Sequence, residues 1–234
     1  MLVIFDCDGV LVDSEIIAAR VDAQLLSEAG YPITAEEVAT RFAGSSGAQI
    51  FDAAEAEMGR AIPDEIRARS ETEIDRRLAD EVEVIAGAYE MLDALDALDA
   101  LDAARCICSN SSMDRLLITL DRTGLYDRFR PYIFSAGEVR DGREKPAPDV
   151  FLHAAEALDA AIDQTLVVED SVHGVAGAIA AGMGVIGFIG ASHSWPGHGE
   201  ALMDAGALTI IRRLADVPAT VEALAGWDRL ALNL

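Results

Sequence analysis

A chain of 234 residues, 51% hydrophobic and 25% charged, is long and apolar enough to bury a core without disulfide or metal staples, which excludes a disordered or fibrous protein. Eighteen basic against 41 acidic side chains leave a net charge of −23, which repels phosphate backbones and argues against a nucleic-acid partner. Three cysteines, at 7, 106 and 108, make no secreted disulfide framework and fit a reducing cytoplasm; the apolar start, without a basic leader, predicts no signal peptide.

The first β-branched run, Leu2–Phe5, reads as a buried strand that ends in Asp6-Cys7-Asp8-Gly9. The next strand-like run is Arg105–Cys108, roughly 100 residues on, where a strand–helix–strand unit needs only about 30. The excess, residues 14–80, reads as helices throughout: Thr34 and Glu37 make a capping-box pair, Gly30 and Gly59 are helix stops, and Pro63 is a helix start. Four Leu-Asp-Ala triplets from Leu92 to Ala103 advance about 300° per leucine, so their leucines cannot all face one core; a packed helix with an exposed or irregular last turn is expected. From Cys106 onward strands at Tyr132–Phe134, Thr165–Val168, Val185–Ile189 and Leu208–Ile211 alternate with helices, which predicts a parallel sheet with crossover helices. Ser112 caps one helix that stops at Gly124, Pro148 suits the first turn of the next, and Ser171 caps a third. Ser171 to Gly199 lacks Asp, Glu, Lys and Arg, but its eight glycines and change of character predict a helix and then a buried strand, not a membrane span.

Residues two apart in extended chain share a face, so Asp6 and Asp8 address one site at the C-terminal end of the first strand, where open α/β sheets bind ligands, with Gly9 turning the backbone. Glu169-Asp170 ends another strand and brings two more carboxylates to that edge. Two carboxylates about 4 Å apart repel by roughly 4 kcal/mol at an effective dielectric of 20, so such a cluster needs a cation or protons. An all-oxygen donor set favours Mg²⁺ over Zn²⁺. Ser109-Asn110-Ser111-Ser112 follows a strand and opens a helix, a place suited to a phosphate-sized anion. Lys145, in Arg143-Glu144-Lys145-Pro146-Ala147-Pro148-Asp149, is the one lysine beside seventeen arginines, so its compact ammonium is expected to serve a purpose that a guanidinium cannot. Its loop reads as lying at the mouth of the sheet, so its replacement is expected to leave stability alone. Cys106 and Cys108 read as small core residues, and His173, His193, Trp195 and His198 as loop or packing residues near strand ends.

These four segments, in the order DCDGVLVDS, SNSS, KPAPD and VVEDS, resemble the four motifs of the haloacid dehalogenase superfamily, most closely its β-phosphoglucomutase-like and phosphatase branch with a helical cap. The resemblance implies a Rossmann-like doubly wound parallel sheet (residues 1–13 and 81–234) with an inserted all-α cap (residues 14–80). It implies that Asp6 is a nucleophile forming an aspartyl-phosphate and that Asp8 is the general acid and then base. Asp6, the Asp8 carbonyl, Asp170 and Glu169 would hold Mg²⁺. Ser109 and Lys145 would hold phosphoryl oxygens, Gly9 and Asn110 would stand beside the substrate, and Gly44 and Ser45 in the cap loop would touch its remainder. The founding dehalogenases lack the second aspartate present here as Asp8. Mutases of the branch carry a histidine where this chain has Ala18 and a phosphate-gripping arginine where it has Gly47. A phosphatase acting on a small phosphorylated metabolite, a sugar or sugar-acid phosphate, is therefore expected, as a monomer or weak dimer. A phosphosugar mutase and a non-catalytic phosphometabolite-binding protein are the alternatives.

Overall fold

The computed structural model describes residues 1–42, 45, 47–97 and 104–231, with side chains through 225. Strand β1 (Leu2–Phe5) is followed by four helices, α1 (Glu15–Glu28), α2 (Ala35–Arg41), α3 (Gly47–Met58) and α4 (Asp64–Glu81). Then come α5 (Ala88–Asp96), β2 (Ala104–Ser109), α6 (Met113–Arg122), α7 (Tyr126–Phe129), β3 (Ile133–Ser135) and α8 (Asp149–Ala157). The chain finishes with β4 (Thr165–Glu169), α9 (Val172–Ala180), β5 (Gly184–Phe188), α10 (His198–Asp204), β6 (Thr209–Ile211) and α11 (Val217–Ala231). Each strand lies within a residue or so of its expected place. The six form one sheet in the order β3-β2-β1-β4-β5-β6, every pairing parallel.

Both faces of the sheet are covered, and the pleat decides which residue meets which layer. Val3, Phe5, Ile107, Val168 and Ile186 join one apolar cluster with Met91 and Leu92 of α5, Leu116 and Leu120 of α6, and Val217 and Val221 of α11. Their neighbours Leu2, Ile4, Cys106, Cys108, Val167 and Val185 join the other, with Val150 and Phe151 of α8, Val175 and Ala178 of α9, and Leu202 of α10. The expected doubly wound core with an inserted helical segment is the observed architecture. The Ser171–Gly199 stretch is indeed a helix followed by a buried strand, and no helix among the described residues is long and apolar enough to cross a membrane.

Local signals act where they were read. Thr34 accepts from the Glu37 amide (3.2 Å) while Glu37 accepts from the Thr34 amide (2.8 Å). Ser112 and Ser171 accept from the amides of Arg115 and Gly174, caps worth about 1 kcal/mol each. Of the leucine triplets, Leu92 and Leu95 are buried in α5, and residues 98–103 lie outside the described residues. The inserted helices leave and rejoin the sheet through two strands of chain bonded to each other. Asp13 N–H donates to Glu83 O (3.0 Å), and Ile85 N–H donates to Leu11 O (2.9 Å).

Candidate active site

Because every strand is parallel, all C-terminal ends lie along one edge, and the motifs converge there. Asp6 directly follows β1, its amide pinned to Val168 O of β4 (3.0 Å). Glu169 closes β4, Asp170 follows it, Ser109 closes β2, and Lys145 arrives on the loop between β3 and α8. The Lys145 ammonium donates to Asp6 Oδ1 (2.5 Å) and Glu169 Oε2 (3.4 Å), with the Phe151 ring 5.2 Å away. Asp8 accepts from the hydroxyls of Ser14 (2.7 Å), Ser109 (3.1 Å) and Ser111 (2.8 Å). Glu169 accepts from the Ser171 hydroxyl (2.6 Å), and it folds back over Gly174, where any Cβ would collide with its carboxylate.

Several expectations are refined by these contacts. Ser109 turns its hydroxyl onto Asp8, so its first partner here is the second aspartate. Asn110 clamps the Lys145 main chain from both sides, its Oδ1 accepting from Lys145 N (2.8 Å) and its Nδ2 donating to Lys145 O (3.3 Å). Gly9 has φ +78°, and a side chain there would strike Asp170 and His193, so its lack of one makes room for that pair. Lys145 is 6% exposed and lies inside the site instead of at its mouth, which corrects the expectation that its replacement leaves stability alone. Ser45 lines the cleft in front of the aspartates; Gly44 lies outside the described residues.

Sequence reasoning missed three groups. Ser14 and Ser111 hold Asp8, although both sit in motif segments. His193, read as a loop residue, pairs through Nε2 with Asp170 Oδ2 (2.9 Å). The only available signal was the run Ser192-His193-Ser194-Trp195 just beyond a strand end.

The residues present fit a divalent cation. Asp6, Glu169 and Asp170 are all buried and each offers an oxygen, the three lying within 4.8 Å of one another. Burial, and after it the Glu169 charge, pushes the Asp6 carboxyl well above the usual carboxylate range. Burial also raises Glu169 to about 7, against the pull of Lys145. One ammonium thus leaves the cluster short of positive charge, and its all-oxygen donors suit a hard cation of the Mg²⁺ class.

Glu15, on the cleft wall, is raised to about 7 by the surrounding protein and by the Asp8 charge. Burial pulls His193 down, but the bond to Asp170 and the carboxylates around it outweigh this and bring it to about 9. Asp6, Glu169, Glu15 and His193 all bind their proton more tightly folded than unfolded. Their contribution is therefore fully present below the ordinary values, about 4.5 for the glutamates, and is lost as pH climbs through 7 and then 9. The cation-free protein is expected to melt at a higher temperature at pH 6 than at pH 8.5 in calorimetry with excess chelator. A rising slope over that window would contradict the charge balance described above.

A cleft of about 870 Å³ opens from these residues toward the inserted helices, lined there by Glu15, Ala18, Asp22, Phe42, Ser45, Gly47 and Gln49. Arg115 of α6 also lines it, bound to Asp75 (2.7 Å) and Glu71 of α4. The chain is 31% identical over 228 residues to the 6-phosphogluconate phosphatase of Escherichia coli (strain K12), covering 97% of this chain and 96% of that one. It is 28% identical over 213 residues to the phosphorylated carbohydrates phosphatase of Thermotoga maritima, covering 90% and 93%. Among solved structures, a conserved haloacid dehalogenase-like protein from Agrobacterium tumefaciens str. C58 superposes with a TM-score of 0.89 at 50% identity, over 96% of this chain and 98% of that one. The family model for haloacid dehalogenase-like hydrolases matches residues 1–182, the span that carries every carboxylate of the cluster and Lys145. The chain belongs to the haloacid dehalogenase-like hydrolase family.

Proposed function

We propose that the protein is a Mg²⁺-dependent phosphatase of the cytoplasm that hydrolyses a small phosphorylated carbohydrate, a sugar phosphate or sugar-acid phosphate, through an aspartyl-phosphate on Asp6. The observation that carries this reading is the Lys145–Asp6 contact of 2.5 Å inside a ring of carboxylates. A buried ammonium there both aims the Asp6 oxygen and, with Asp6 and Glu169 taking two of its three N–H groups, offers the third to a phosphoryl oxygen. The curated relatives supply the substrate class. In this reading residues 14–80 act as a cap over the site carried by residues 1–13 and 81–234. Three free, buried cysteines support a reducing compartment.

An Asp6 carboxylate oxygen attacks phosphorus, and the bond from phosphorus to the substrate alkoxide breaks. Asp8 gives its proton to the departing alkoxide and then takes one from water, whose oxygen displaces Asp6. The three hydroxyls around Asp8 suit this alternation, since each can either donate or accept and so stays bonded to the acid and to the base. Asn110 keeps Lys145 in register, and Lys145 keeps Asp6 on the attack line. Asp6, Asp170 and the Asp8 carbonyl, with Glu169 beside them, would hold the cation, which would supply charge stabilisation for the transferred phosphoryl group.

The mutase alternative is disfavoured by what stands near the cap loop. Ala18 and Gly47 line the cleft without a titratable or basic group. Arg41, the nearest arginine in sequence to that loop, is bound to Glu57 (2.7 Å). A panel of phosphorylated sugars and sugar acids should therefore release inorganic phosphate with Mg²⁺ present and none in excess chelator. β-Glucose 1-phosphate should be hydrolysed or ignored. Formation of glucose 6-phosphate with a bisphosphate activator would establish a mutase, and binding without any release would establish a sensor.

A further inference from the structure

We infer that residues 190–198, the loop after β5 together with the first residue of α10, form a clamp on Asp170, and that His193 is the positioning residue that aims this carboxylate at the cation. The inference rests on the cation site proposed above. It assigns a role to a loop that the proposed reaction does not otherwise use.

Asp170 is gripped at two points by this segment, once from the loop and once from the start of α10. His193 Nε2 meets its side chain at Oδ2 (2.9 Å), which leaves Oδ1 for a cation. His198 Nε2 meets its main-chain oxygen (2.6 Å); a carbonyl only accepts, so this nitrogen carries the proton. The two grips are built for rigidity. His198 is 1% exposed and is stacked under Trp195, the rings 3.8 Å apart and inclined by 14°. His193 packs edge-on against His198, their centroids 5.8 Å apart. At the other end of the loop, Ser192 donates its amide to Asp13 Oδ1 (3.1 Å) and its hydroxyl to Asp13 Oδ2. Gly9 completes the fit, because any side chain there would occupy the space in which Asp170 and His193 meet.

The physical need is clear from the electrostatics of the edge. Asp170 stands among Asp6, Asp8 and Glu169, and Lys145 neutralises only Asp6 and Glu169 by contact. Without a donor on Oδ2, the Asp170 carboxylate is free to rotate away from its like-charged neighbours. Groups that hold a ligating carboxylate typically matter by 10–100-fold in metal affinity.

The test is direct titration of the metal-free protein with Mg²⁺, and with Mn²⁺, by calorimetry in the absence of substrate. His193→Leu removes the donor, and His193→Gln restores an amide N–H at a similar reach. His193→Leu is expected to weaken binding of both cations roughly tenfold. His193→Gln should recover most of that loss. In chelator His193→Leu, which leaves the buried Asp170 carboxylate unpaired, should melt below wild type, and His193→Gln should regain part of the difference. In turnover assays the cation concentration for half-maximal rate should rise in His193→Leu, with kcat at saturating cation nearly unchanged. Wild-type affinity in His193→Leu overturns the clamp, as does a His193→Gln variant no better than His193→Leu. If His193→Leu fails to fold, Ser192→Ala at the exposed anchor replaces it, with a weakening of about threefold expected and an unchanged affinity counting against the clamp. Failure of the wild-type protein to bind either cation overturns the cation site itself and the clamp with it.

Discussion

Replacing Asp6 with asparagine is expected to lower turnover by roughly 10⁴-fold or more, because it swaps the carboxylate proposed to attack phosphorus for an amide of the same shape. The fold should survive. The backbone of residue 6 is held by its bond to Val168, and Lys145 keeps Glu169 as a partner. Asp6 is a carboxylate whose ionised form is disfavoured by burial and by Glu169, so removing its charge relieves the cation-free protein. The melting temperature of Asp6→Asn in chelator at pH 8 should therefore equal or exceed that of wild type. Acid-quenched wild-type enzyme should carry labelled phosphate on Asp6, and label on any other residue would displace Asp6 as nucleophile.

Lys145→Arg should lose at least about 100-fold in kcat although the charge is kept. The Lys145 ammonium lies between Asp6 Oδ1, Glu169 Oε2 and the Phe151 ring, and its side chain is 3% exposed. A guanidinium is wider and planar, so it must shift Asp6 or fill the place of the phosphoryl group, and a displacement of about 1 Å can cost 10²-fold. Burial alone would discharge this lysine, but the charges of Asp6 and Glu169 more than offset it and keep the ammonium protonated. Removing it leaves buried carboxylates unpaired, a loss of about 3–5 kcal/mol. Lys145→Ala should thus melt well below wild type at pH 8 without cation and regain part of the difference at pH 6. A Lys145→Arg enzyme with near-normal turnover would show that positive charge suffices.

The fold was readable because its elements are set by local rules. Buried parallel strands need β-branched runs, and helix ends need Ser, Thr or Gly at fixed offsets, so Leu2–Phe5, Thr34 and Ser171 announce themselves. The carboxylates and Lys145 were readable for a related reason. They stand at strand ends, and a parallel sheet places all such ends together. Asn110 and His193 were not readable in their observed roles, because the partner of each lies far along the chain: Lys145 for Asn110, and Asp170 for His193. Such pairings depend on how β2 and β5 sit beside their neighbours, and no spacing encodes them. Lys145 shows the same division. Its importance was visible in composition, while its burial, and so its effect on stability, was visible only in three dimensions.

The position of β1 has a further consequence, for the order in which the molecule can assemble. This strand is made first, yet it is the third in the sheet, flanked by β2 on one side and β4 on the other. During synthesis its first edge stays unsatisfied until residues 104–109 emerge, and its second until residues 165–169 do. The segment that ends in Asp6 therefore leaves the ribosome as an unpaired apolar ribbon and must wait for most of the chain. Long-range parallel pairing of this kind folds slowly and exposes sticky intermediates. The inserted helices pack largely on one another, α1 against α2 and α4, and can form while it waits, so the helical wall of the cleft is built before the strand ends that face it.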